Sequence, residues 1–250
     1  MLNSATSGKG PENRKLLIVI PTYNEAENIQ PLIDEVLALK TSARALHILV
    51  VDDGSPDGTA SLVKKAQTKY PDAVHLLERT KKSGLADAYI TGFKWGLERD
   101  YDLFLEMDAD FSHNPKYVPV MLDAARDNDV VIGSRNIAGG KVENWSFLRN
   151  LISKGGSLYS RIVLWCPVRD LTGGFNMWSR EALAAIGLDT LISKGFTFQI
   201  EMKYKAHRQG LRIKEIPIVF PDRVKGESKM DKKIFIEAFV AVWKLRKCLN

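Results

Sequence analysis

Two aspartates separated by one residue, Asp108 and Asp110, directly follow a short apolar run of the sequence. At this spacing their carboxylates repel each other unless a positive charge lies between them. Carboxylate oxygens are hard ligands that suit Mg²⁺ or Mn²⁺, and such an ion keeps coordination positions open for a diphosphate. The pattern therefore predicts a divalent metal site. The alternative is an acidic turn that caps a helix beginning near Asn114.

Two other polar loops follow apolar runs in the same way. Tyr23 and Glu25 come after the first run, and Asp52 and Asp53 come after the second. Their acidic side chains can accept hydrogen bonds from a ribose or from the edge of a guanine base. Each loop can equally be a turn in which Pro, Asp and Gly serve only the backbone.

Basic side chains in later loops are candidates for phosphate binding. Arg pairs two donors with a phosphate, and Lys contributes a mobile point charge. The candidates are Arg135, Arg149, Arg223 and Lys229. Together they are expected to surround an anionic acceptor, although each one singly is also compatible with an exposed surface cation.

The elements that position these residues follow from the hydrophobic pattern of the first half. Short apolar runs predict strands at 16–20, 47–51, 73–77, 102–106 and 130–133. Helical patterns lie between them at 25–39, 58–70, 84–98 and 114–126. This alternation is typical of a doubly wound α/β fold with a mostly parallel sheet. Ligands bind at the carboxyl ends of such strands, where the acidic loops are expected to lie.

The second half is less regular. It predicts a helix over 146–165, a turn-rich segment over 170–175, a helix over 196–208 and a strand over 212–220. We expect one domain over 14–230, preceded by a loose tail over 1–13 and followed by an amphipathic helix over 231–250 that packs on or beside it.

Composition restricts the function further. The 45% hydrophobic and 26% charged content is ordinary for a globular protein and excludes long disorder. The two cysteines, Cys166 and Cys248, have neither metal-site nor disulfide spacing, so a reducing compartment is expected. We find no secretory signal and no run of about 18 apolar residues, so the chain is not expected to cross a bilayer.

Positive charge is concentrated at the end of the chain, where residues 201–250 hold 13 Lys or Arg against 6 Asp or Glu. Such a surface fits a phosphorylated substrate, an anionic membrane or nucleic acid, or is simply solvated. We expect no nucleic-acid partner, because no nucleic-acid-binding module accompanies the charge.

The ordered motifs resemble those of the dolichol-phosphate (polyprenol-phosphate) mannose synthases, inverting family 2 glycosyltransferases with the GT-A nucleotide-sugar-binding fold. The resemblance spans about residues 15–235 and is carried by Pro21–Glu25, Val50–Thr59, Met107–Asp110, Gly133–Arg135, Thr172–Phe175 and Arg223–Lys229. The chain is similar to the type without transmembrane helices after the catalytic domain.

The resemblance implies transfer of mannose from GDP-mannose to dolichyl or another polyprenyl phosphate, with release of GDP. The residues implied to bind guanosine are Pro21, Tyr23, Glu25, Val50 and Asp52. Those implied to hold the diphosphate and its Mg²⁺ or Mn²⁺ are Asp108, Ala109 and Asp110, the last being the principal ligand.

The resemblance also assigns the basic residues. Those implied to contact donor or acceptor phosphates, and with Asp110 to form the catalytic group, are Arg135, Arg223 and Lys229. Arg149 and Ser153 are implied to bind the acceptor phosphate. Ser112 stands where some relatives carry a Gln that completes the metal shell, which leaves the third protein ligand open.

A lipid acceptor implies a peripheral enzyme on the cytoplasmic face of a membrane. That membrane would be the endoplasmic reticulum in a eukaryote, with small membrane-protein subunits as partners, or the inner membrane in a bacterium. Two amphipathic stretches, 148–165 and 231–249, are candidates for contact with an anionic bilayer surface. Packing on the protein's own sheet is the alternative for both.

Three rival functions stay open. One is a polyprenyl-phosphate glucosyltransferase that uses UDP-glucose. A second is a family 2 enzyme acting on a sugar hydroxyl, which would need a carboxylate base such as Asp170 or Glu201. The third is a non-catalytic nucleotide-sugar-binding subunit of a membrane complex, for which a broken Asp-X-Asp motif would be the mark.

Overall fold

The computed structural model describes residues 13–143, 147–193, 195, 197–221 and 241–247, with the backbone alone for 147–152. Its strands are β1 (Lys15–Thr22), β2 (Ala45–Asp52), β3 (Val74–Glu78), β4 (Leu103–Glu106), β5 (Val130–Ser134), β6 (Lys141–Val142), β7 (Asn176–Ser179), β8 (Ile213–Pro217) and β9 (Val219–Phe220). Its helices are α1 (Ala26–Leu37), α2 (Thr59–Lys69), α3 (Leu85–Leu97), α4 (Val118–Ala124), α5 (Phe147–Leu164), α6 (Arg180–Ile186) and α7 (Thr197–Arg208), with 3₁₀ turns at Pro115–Tyr117 and Leu188–Thr190. Residues 241–247 are also helical.

A seven-stranded sheet in the order β3-β2-β1-β4-β7-β5-β8 organises the fold. All neighbouring pairs are parallel except those of β7, which runs antiparallel to both β4 and β5. Apolar side chains cover both faces of the sheet and form two buried layers. Strands buried on both faces read as continuous apolar runs, which is why the sequence pattern identified them. The predicted α/β fold with a mostly parallel sheet is confirmed.

Most predicted elements agree with the structure to within a few residues, but β6, β7 and α6 were missed. β7 has only four residues, Asn176–Ser179, and all of them are buried. Its mixture of polar and apolar side chains gives no periodicity. The polar side chains can be buried inside the sheet because polar groups of neighbouring elements bond to them. Short segments of this kind cannot be assigned from pattern alone.

Two other predicted elements are divided. The strand expected over 212–220 becomes β8 and β9, because the chain leaves β5 after the Ile218 amide bonds to Ser134 O at 3.0 Å and joins β6 in a separate two-stranded sheet. The helix expected over 114–126 begins as a 3₁₀ turn and continues as α4. The first 12 residues and most of the expected C-terminal helix lie outside the described part of the chain.

Helix α3 packs closely against the sheet because glycines face it. A Cβ added at Gly96 would lie 2.5 Å from Phe104 Cε1 and 2.6 Å from Leu17 Cδ2. These contacts are too short for any real Cβ, so the backbones approach this closely only while the position is Gly. The close approach places α3 directly behind β1 and β4, the strands that lead to two of the acidic loops.

Gly96→Ala is expected to lower the free energy of unfolding by about 1–3 kcal/mol, the usual cost of overpacking. Urea denaturation measures this change. Gly155→Ala in α5 is the matched control, since its Cβ would meet no heavy atom of the described residues within 4 Å. There the removal of Gly from a helix should be neutral or stabilise by up to about 1 kcal/mol. Equal effects at the two sites would refute the packing argument.

Candidate functional site

Acidic loops lie together at the carboxyl ends of neighbouring parallel strands. β1 and β2 end in register, with Thr22 paired to Asp52, and the Thr22 hydroxyl donates to Asp52 Oδ1 at 2.8 Å. β4 lies on the other side of β1 and ends at Glu106, just before the Asp-X-Asp segment. The expectation that these loops share one edge of the sheet is confirmed.

The Asp52 carboxylate is engaged in the turn that follows β2. Besides the Thr22 hydroxyl, it accepts hydrogen bonds from the Ser55 amide at 2.9 Å and from the Ser55 hydroxyl at 2.6 Å. Asp53 forms an ion pair with Arg79 at 2.5 Å. The bonds that both carboxylates make here are those expected if the loop is simply a turn. Contact of Asp52 with a nucleotide stays a prediction.

The remaining residues assigned to guanosine differ in how accessible they are. The Lys82 ammonium lies 3.6 Å from the centroid of the Tyr23 ring, a cation–π contact on the rim of the site. The Glu25 carboxylate accepts a hydrogen bond from the side-chain amide of Asn28 at 2.9 Å. Pro21 is half-buried, whereas the Val50 side chain is fully buried in the apolar layer, so it presents no surface to a ligand in this conformation.

The Asp-X-Asp segment forms a tight turn stabilised by its own neighbours. Asp110 Oδ1 accepts from the Ser112 amide at 3.0 Å, and Phe111 between them has φ 61°, in the left-handed region. Asp108 Oδ1 accepts from the Tyr89 hydroxyl at 3.0 Å. Burial, reinforced by the nearby Asp108 carboxylate, raises the pKa of Tyr89 well above its ordinary value, so the phenol remains a donor.

The helix-cap alternative for these aspartates is not what the structure shows. The Asn114 side chain accepts from the Lys116 amide at 3.0 Å and so caps the 3₁₀ turn at Pro115–Tyr117. Asp108 and Asp110 take no part in that cap and lie at the strand-end edge. Ala109 between them is buried.

His113 lies against the Asp-X-Asp turn, and the sequence reasoning did not assign it to the site. Its Nδ1 accepts the Asp108 amide hydrogen at 2.9 Å, and its ring stacks on Phe175 with 4.9 Å between centroids and an interplanar angle of 13°. Burial lowers the pKa of His113, which favours the neutral ring that this bond requires. The imidazole therefore connects the Asp-X-Asp turn to the segment at residues 170–175. Its position directly after Ser112 in the motif was the available signal.

Arg135 extends from the end of β5 into a buried ion pair with Asp170. Its Nε and Nη2 donate to the two carboxylate oxygens at 2.8 and 2.7 Å, and Nη2 also donates to Thr172 Oγ1 at 3.0 Å. Burial alone would raise the pKa of Asp170, but the adjacent guanidinium holds it well below its usual range. The planar guanidinium is thereby held in a single orientation.

The other predicted phosphate-binding residues are described incompletely. Arg223 and Lys229 lie outside the described residues, and for Arg149 only the helical backbone of α5 is described. Ser153 is half-buried in α5, one turn after Arg149.

The two carboxylates considered as bases for a hydroxyl acceptor are both occupied. Asp170 pairs with Arg135, as described above. Glu201, 1% exposed, accepts hydrogen bonds from the backbone amides of Ile192 and Ser193 at 2.7–3.1 Å. Neither carboxylate is available to take a proton from a substrate hydroxyl, which argues against the enzyme with a hydroxyl acceptor.

An open, mostly parallel sheet that carries an Asp-X-Asp turn on a central strand end defines a GT-A-like nucleotide-sugar fold. The sequence profile of glycosyl transferase family 2 matches residues 17–187, and the chain belongs to this family. The membership inferred from the motifs is confirmed.

Relatives and solved structures agree with this assignment. The chain is 46% identical to the undecaprenyl-phosphate mannosyltransferase of Micrococcus luteus, over 91% of this chain and 92% of that protein. It is 43% identical to the polyprenol monophosphomannose synthase of Mycolicibacterium smegmatis, over 93% and 88% of the two chains. A structure of glucosyl-3-phosphoglycerate synthase from Mycobacterium tuberculosis with Mn²⁺, UDP-glucose and phosphoglyceric acid matches 95% of this chain and 81% of that one. Its TM-score is 0.68 at 17% identity, a likeness that shows the fold alone.

None of the described helices is both long enough and apolar enough to cross a bilayer.

Replacing His113 by Phe is expected to keep the ring stack on Phe175 and leave the Asp108 amide without its acceptor. An unpaired buried amide costs about 1–3 kcal/mol, so the urea midpoint of unfolding should fall accordingly. His207→Phe is the control, since His207 is half-buried in α7 and its imidazole makes no hydrogen bond to a described residue. An unchanged midpoint for the His113 variant would show that the Asp108 amide does not depend on this ring.

Proposed function

We propose that this protein transfers mannose from GDP-mannose to a polyprenyl phosphate, dolichyl phosphate included, with inversion at the anomeric carbon and release of GDP. Support comes from relatives named as undecaprenyl-phosphate, polyprenol and dolichol-phosphate mannose transferases or synthases, which are 37–46% identical over 91–93% of this chain. The dolichol-phosphate mannosyltransferase among them is from Pyrococcus furiosus, and this chain covers 64% of its length.

The observation that carries the proposal is the physical connection between the Asp-X-Asp turn and Arg135. His113 bonds to the Asp108 amide and stacks on Phe175, and the segment that contains Phe175 holds Arg135 through Asp170. The carboxylates proposed to hold a metal-bound diphosphate and the guanidinium proposed to contact phosphate are thus parts of one packed unit. Such an arrangement suits the transfer of a sugar between two phosphorylated molecules.

The residues present fit a divalent metal ion. Asp108 and Asp110 provide hard oxygen ligands, and no group of three or more His, Cys, Asp or Glu side chains suited to a metal occurs within the described residues. A set of two carboxylates leaves most of the coordination sphere to a diphosphate and water, as Mg²⁺ and Mn²⁺ commonly require. When bound, the ion would neutralise charge on the departing GDP.

The protein's own contribution is mainly positioning. A polyprenyl phosphate is already an anion at neutral pH, so its attack does not need the general base that a hydroxyl acceptor needs. Arg135, held by Asp170 and Thr172, is proposed to contact a phosphate. Those proposed to join it around donor and acceptor are Arg149, Ser153, Arg223 and Lys229. Holding two anions in line at the anomeric carbon is worth several powers of ten in rate. Tyr23 and Glu25, with Pro21 and Asp52 beside them, are proposed to form the guanosine end of the site, and the buried Val50 supports it only from within the apolar layer.

Purified protein with labelled GDP-mannose, undecaprenyl or dolichyl phosphate, and Mg²⁺ or Mn²⁺ should release label into the lipid phase. Asp110→Asn, which keeps the shape of the side chain and removes its charge, is expected to lower this transfer at least about 100-fold, because electrostatic stabilisation of the leaving group is lost. Asp123→Asn, an exposed residue of α4, is the matched control and should transfer normally.

Two results would contradict the proposed substrates and activity, and a third would contradict only the role of the metal. Label transferred from UDP-glucose and not from GDP-mannose would show that the protein is a glucosyltransferase. Binding of a nucleotide sugar without transfer to any polyprenyl phosphate would favour a non-catalytic binding subunit. Normal transfer by the Asp110 variant would remove the metal from the mechanism while leaving the substrates in place.

We further propose that the protein is peripheral on the cytoplasmic face of a membrane, where its lipid acceptor lies. Large apolar side chains are exposed on α5, directly after it and on the helix at 241–247: Leu158 at 53%, Ile162 at 65%, Trp165 at 80% and Trp243 at 47%. The two helices are joined where Arg246 Nη1 donates to Val163 O at 2.6 Å. Trp165, Arg208 and Arg246 line one shallow depression there. Exposed aromatics beside cations suit an anionic bilayer surface or a small membrane subunit.

The variant with Ile162→Ser and Trp165→Ser is expected to bind vesicles of phosphatidylglycerol and phosphatidylethanolamine at least about tenfold more weakly than wild type, because each apolar side chain contributes about 1.5–3 kcal/mol when buried. Flotation measures the bound fraction. Val120→Ser is the control, because Val120 on α4 is 51% exposed but belongs to another helix. If the wild-type protein floats with vesicles of no lipid composition, docking by this chain alone is refuted.

A further inference from the structure

Lys203 is a fully buried lysine on α7 that the proposed reaction does not use. Its side chain is 0% exposed, and its Nζ donates to three backbone carbonyls: Asp170 O at 3.1 Å, Leu171 O at 3.3 Å and Gly173 O at 2.5 Å. An ammonium has three N–H donors, so the three carbonyls match its capacity. The buried group is therefore a satisfied ammonium, bound to one short segment of chain.

Burying this charge is costly and needs a compensating function. Desolvation lowers the pKa of Lys203 to about 8, although the carboxylates of Asp170 and Glu106 oppose the shift. An apolar side chain at such a position usually packs as well or better, so a buried cation is weak evidence for stability alone. Its bonds instead specify the conformation of the segment 170–173.

That segment determines where the Arg135 guanidinium points. The Asp170 carboxylate receives two side-chain bonds from Arg135 and, on Oδ2, the Arg135 backbone amide at 2.9 Å. Thr172 accepts a further bond from Arg135, and the Ser157 hydroxyl of α5 lies 3.1 Å from Thr172 Oγ1. The three carbonyls bound by Lys203 are those of Asp170 and of the residues on either side of Thr172.

The same face of α7 also reaches the strand that carries the Asp-X-Asp turn. Gln199, one helical turn before Lys203, donates to the buried carboxylate of Glu106, which also accepts from Trp178 Nε1 at 2.8 Å. Glu106 is the last residue of β4, two positions before Asp108. One helix thus contacts both halves of the site through two polar side chains.

We propose that Lys203 is a positioning residue that holds the segment 170–173 so that Asp170 and Thr172 orient Arg135 for phosphate. The inference rests on the proposed function, because its kinetic test measures the proposed transfer reaction. It goes beyond that function because it assigns a role to a buried residue that does not contact the substrate. It also explains why α7 carries a cation where an apolar residue would suffice for packing.

Lys205 provides a matched control on the same helix. It is 7% exposed, and its Nζ likewise donates to carbonyls, Ile186 O and Thr190 O, both at 3.2 Å, and to Thr190 Oγ1 at 2.5 Å. Those acceptors end α6 and lie in the following 3₁₀ turn, which, within the described residues, makes no bond to Arg135 or the Asp-X-Asp turn. Lys203→Met and Lys205→Met therefore each remove a buried ammonium bonded to backbone carbonyls, Lys203 beside the site and Lys205 away from it.

Lys203→Met is expected to lower kcat for the transfer about 10- to 100-fold, since small misplacements of positioning groups cost this much. Lys205→Met should leave kcat within about twofold of wild type while lowering the melting temperature, because the buried carbonyls that Lys205 bonds lose their donor. If the two variants lose equal activity, Lys203 is structural only and the proposal fails.

A double-mutant cycle with Arg135→Lys tests whether the effect passes through Arg135. In that background, Lys203→Met is expected to change kcat by less than about twofold, because the guanidinium that it positions is already gone. Full additivity of the two losses would overturn the proposed route. If Lys203→Met does not fold, Lys203→Gln, which keeps two N–H donors, takes its place in the same cycle.

Hydrogen exchange separates this inference from the proposed function. Peptides that contain the amides of Arg135 and Gly173, both bonded to Asp170, should exchange faster in Lys203→Met and at the wild-type rate in Lys205→Met. Wild type without transfer from any donor would reject the proposed function, yet faster exchange would still support positioning. Unchanged exchange in these peptides would refute the positioning role of Lys203 even if transfer is observed.

Discussion

The buried ion pair between Arg135 and Asp170 is the interaction on which the second half of the site depends. Two unit charges with almost no solvent contact are stable together only when geometry and hydrogen bonding are both complete. Here the guanidinium makes two parallel bonds to the carboxylate and one to Thr172, and the carboxylate also accepts backbone amides of Arg135 and Gly173. Removal of either partner would leave a buried charge unpaired, so the pair constrains every segment that contributes to it.

The antiparallel strand β7 brings this ion pair next to the acidic edge. It lies between β4 and β5, so the segment at 170–175 that precedes it runs beside the ends of both strands. Its own polar side chain, Asn176, donates to Glu106 and Gln199, and Trp178 donates to Glu106. Burial raises the pKa of Glu106 to about 7, against the effect of these donors. A layer of polar groups thus replaces apolar packing where the two halves of the sheet meet.

The acidic half of the site is organised differently, mostly through turns. Asp52 and Asp110 bond to amides two or three residues further along the chain, and Asn114 caps the next turn. Local bonds of this type depend on residue order within a few positions, so their location is readable from sequence. Long-range contacts such as the stack of His113 on Phe175 depend on the path of the chain through β7, which no local pattern encodes.

The sequence alone determined the strand-end positions of Tyr23, Asp52, Asp108 and Asp110, because buried parallel strands are continuous apolar runs and acidic turns follow them directly. It likewise determined the alternation of helices and strands that makes the sheet mostly parallel. Only the tertiary structure decided that Asp170 pairs with Arg135 instead of serving as a base, and that His113 joins two loops. The insertion of β7, and with it the burial of Lys203, was also decided there. The physical reason is that buried polar residues look like surface residues in a sequence, and only their partners, distant along the chain, show that they are satisfied inside the protein.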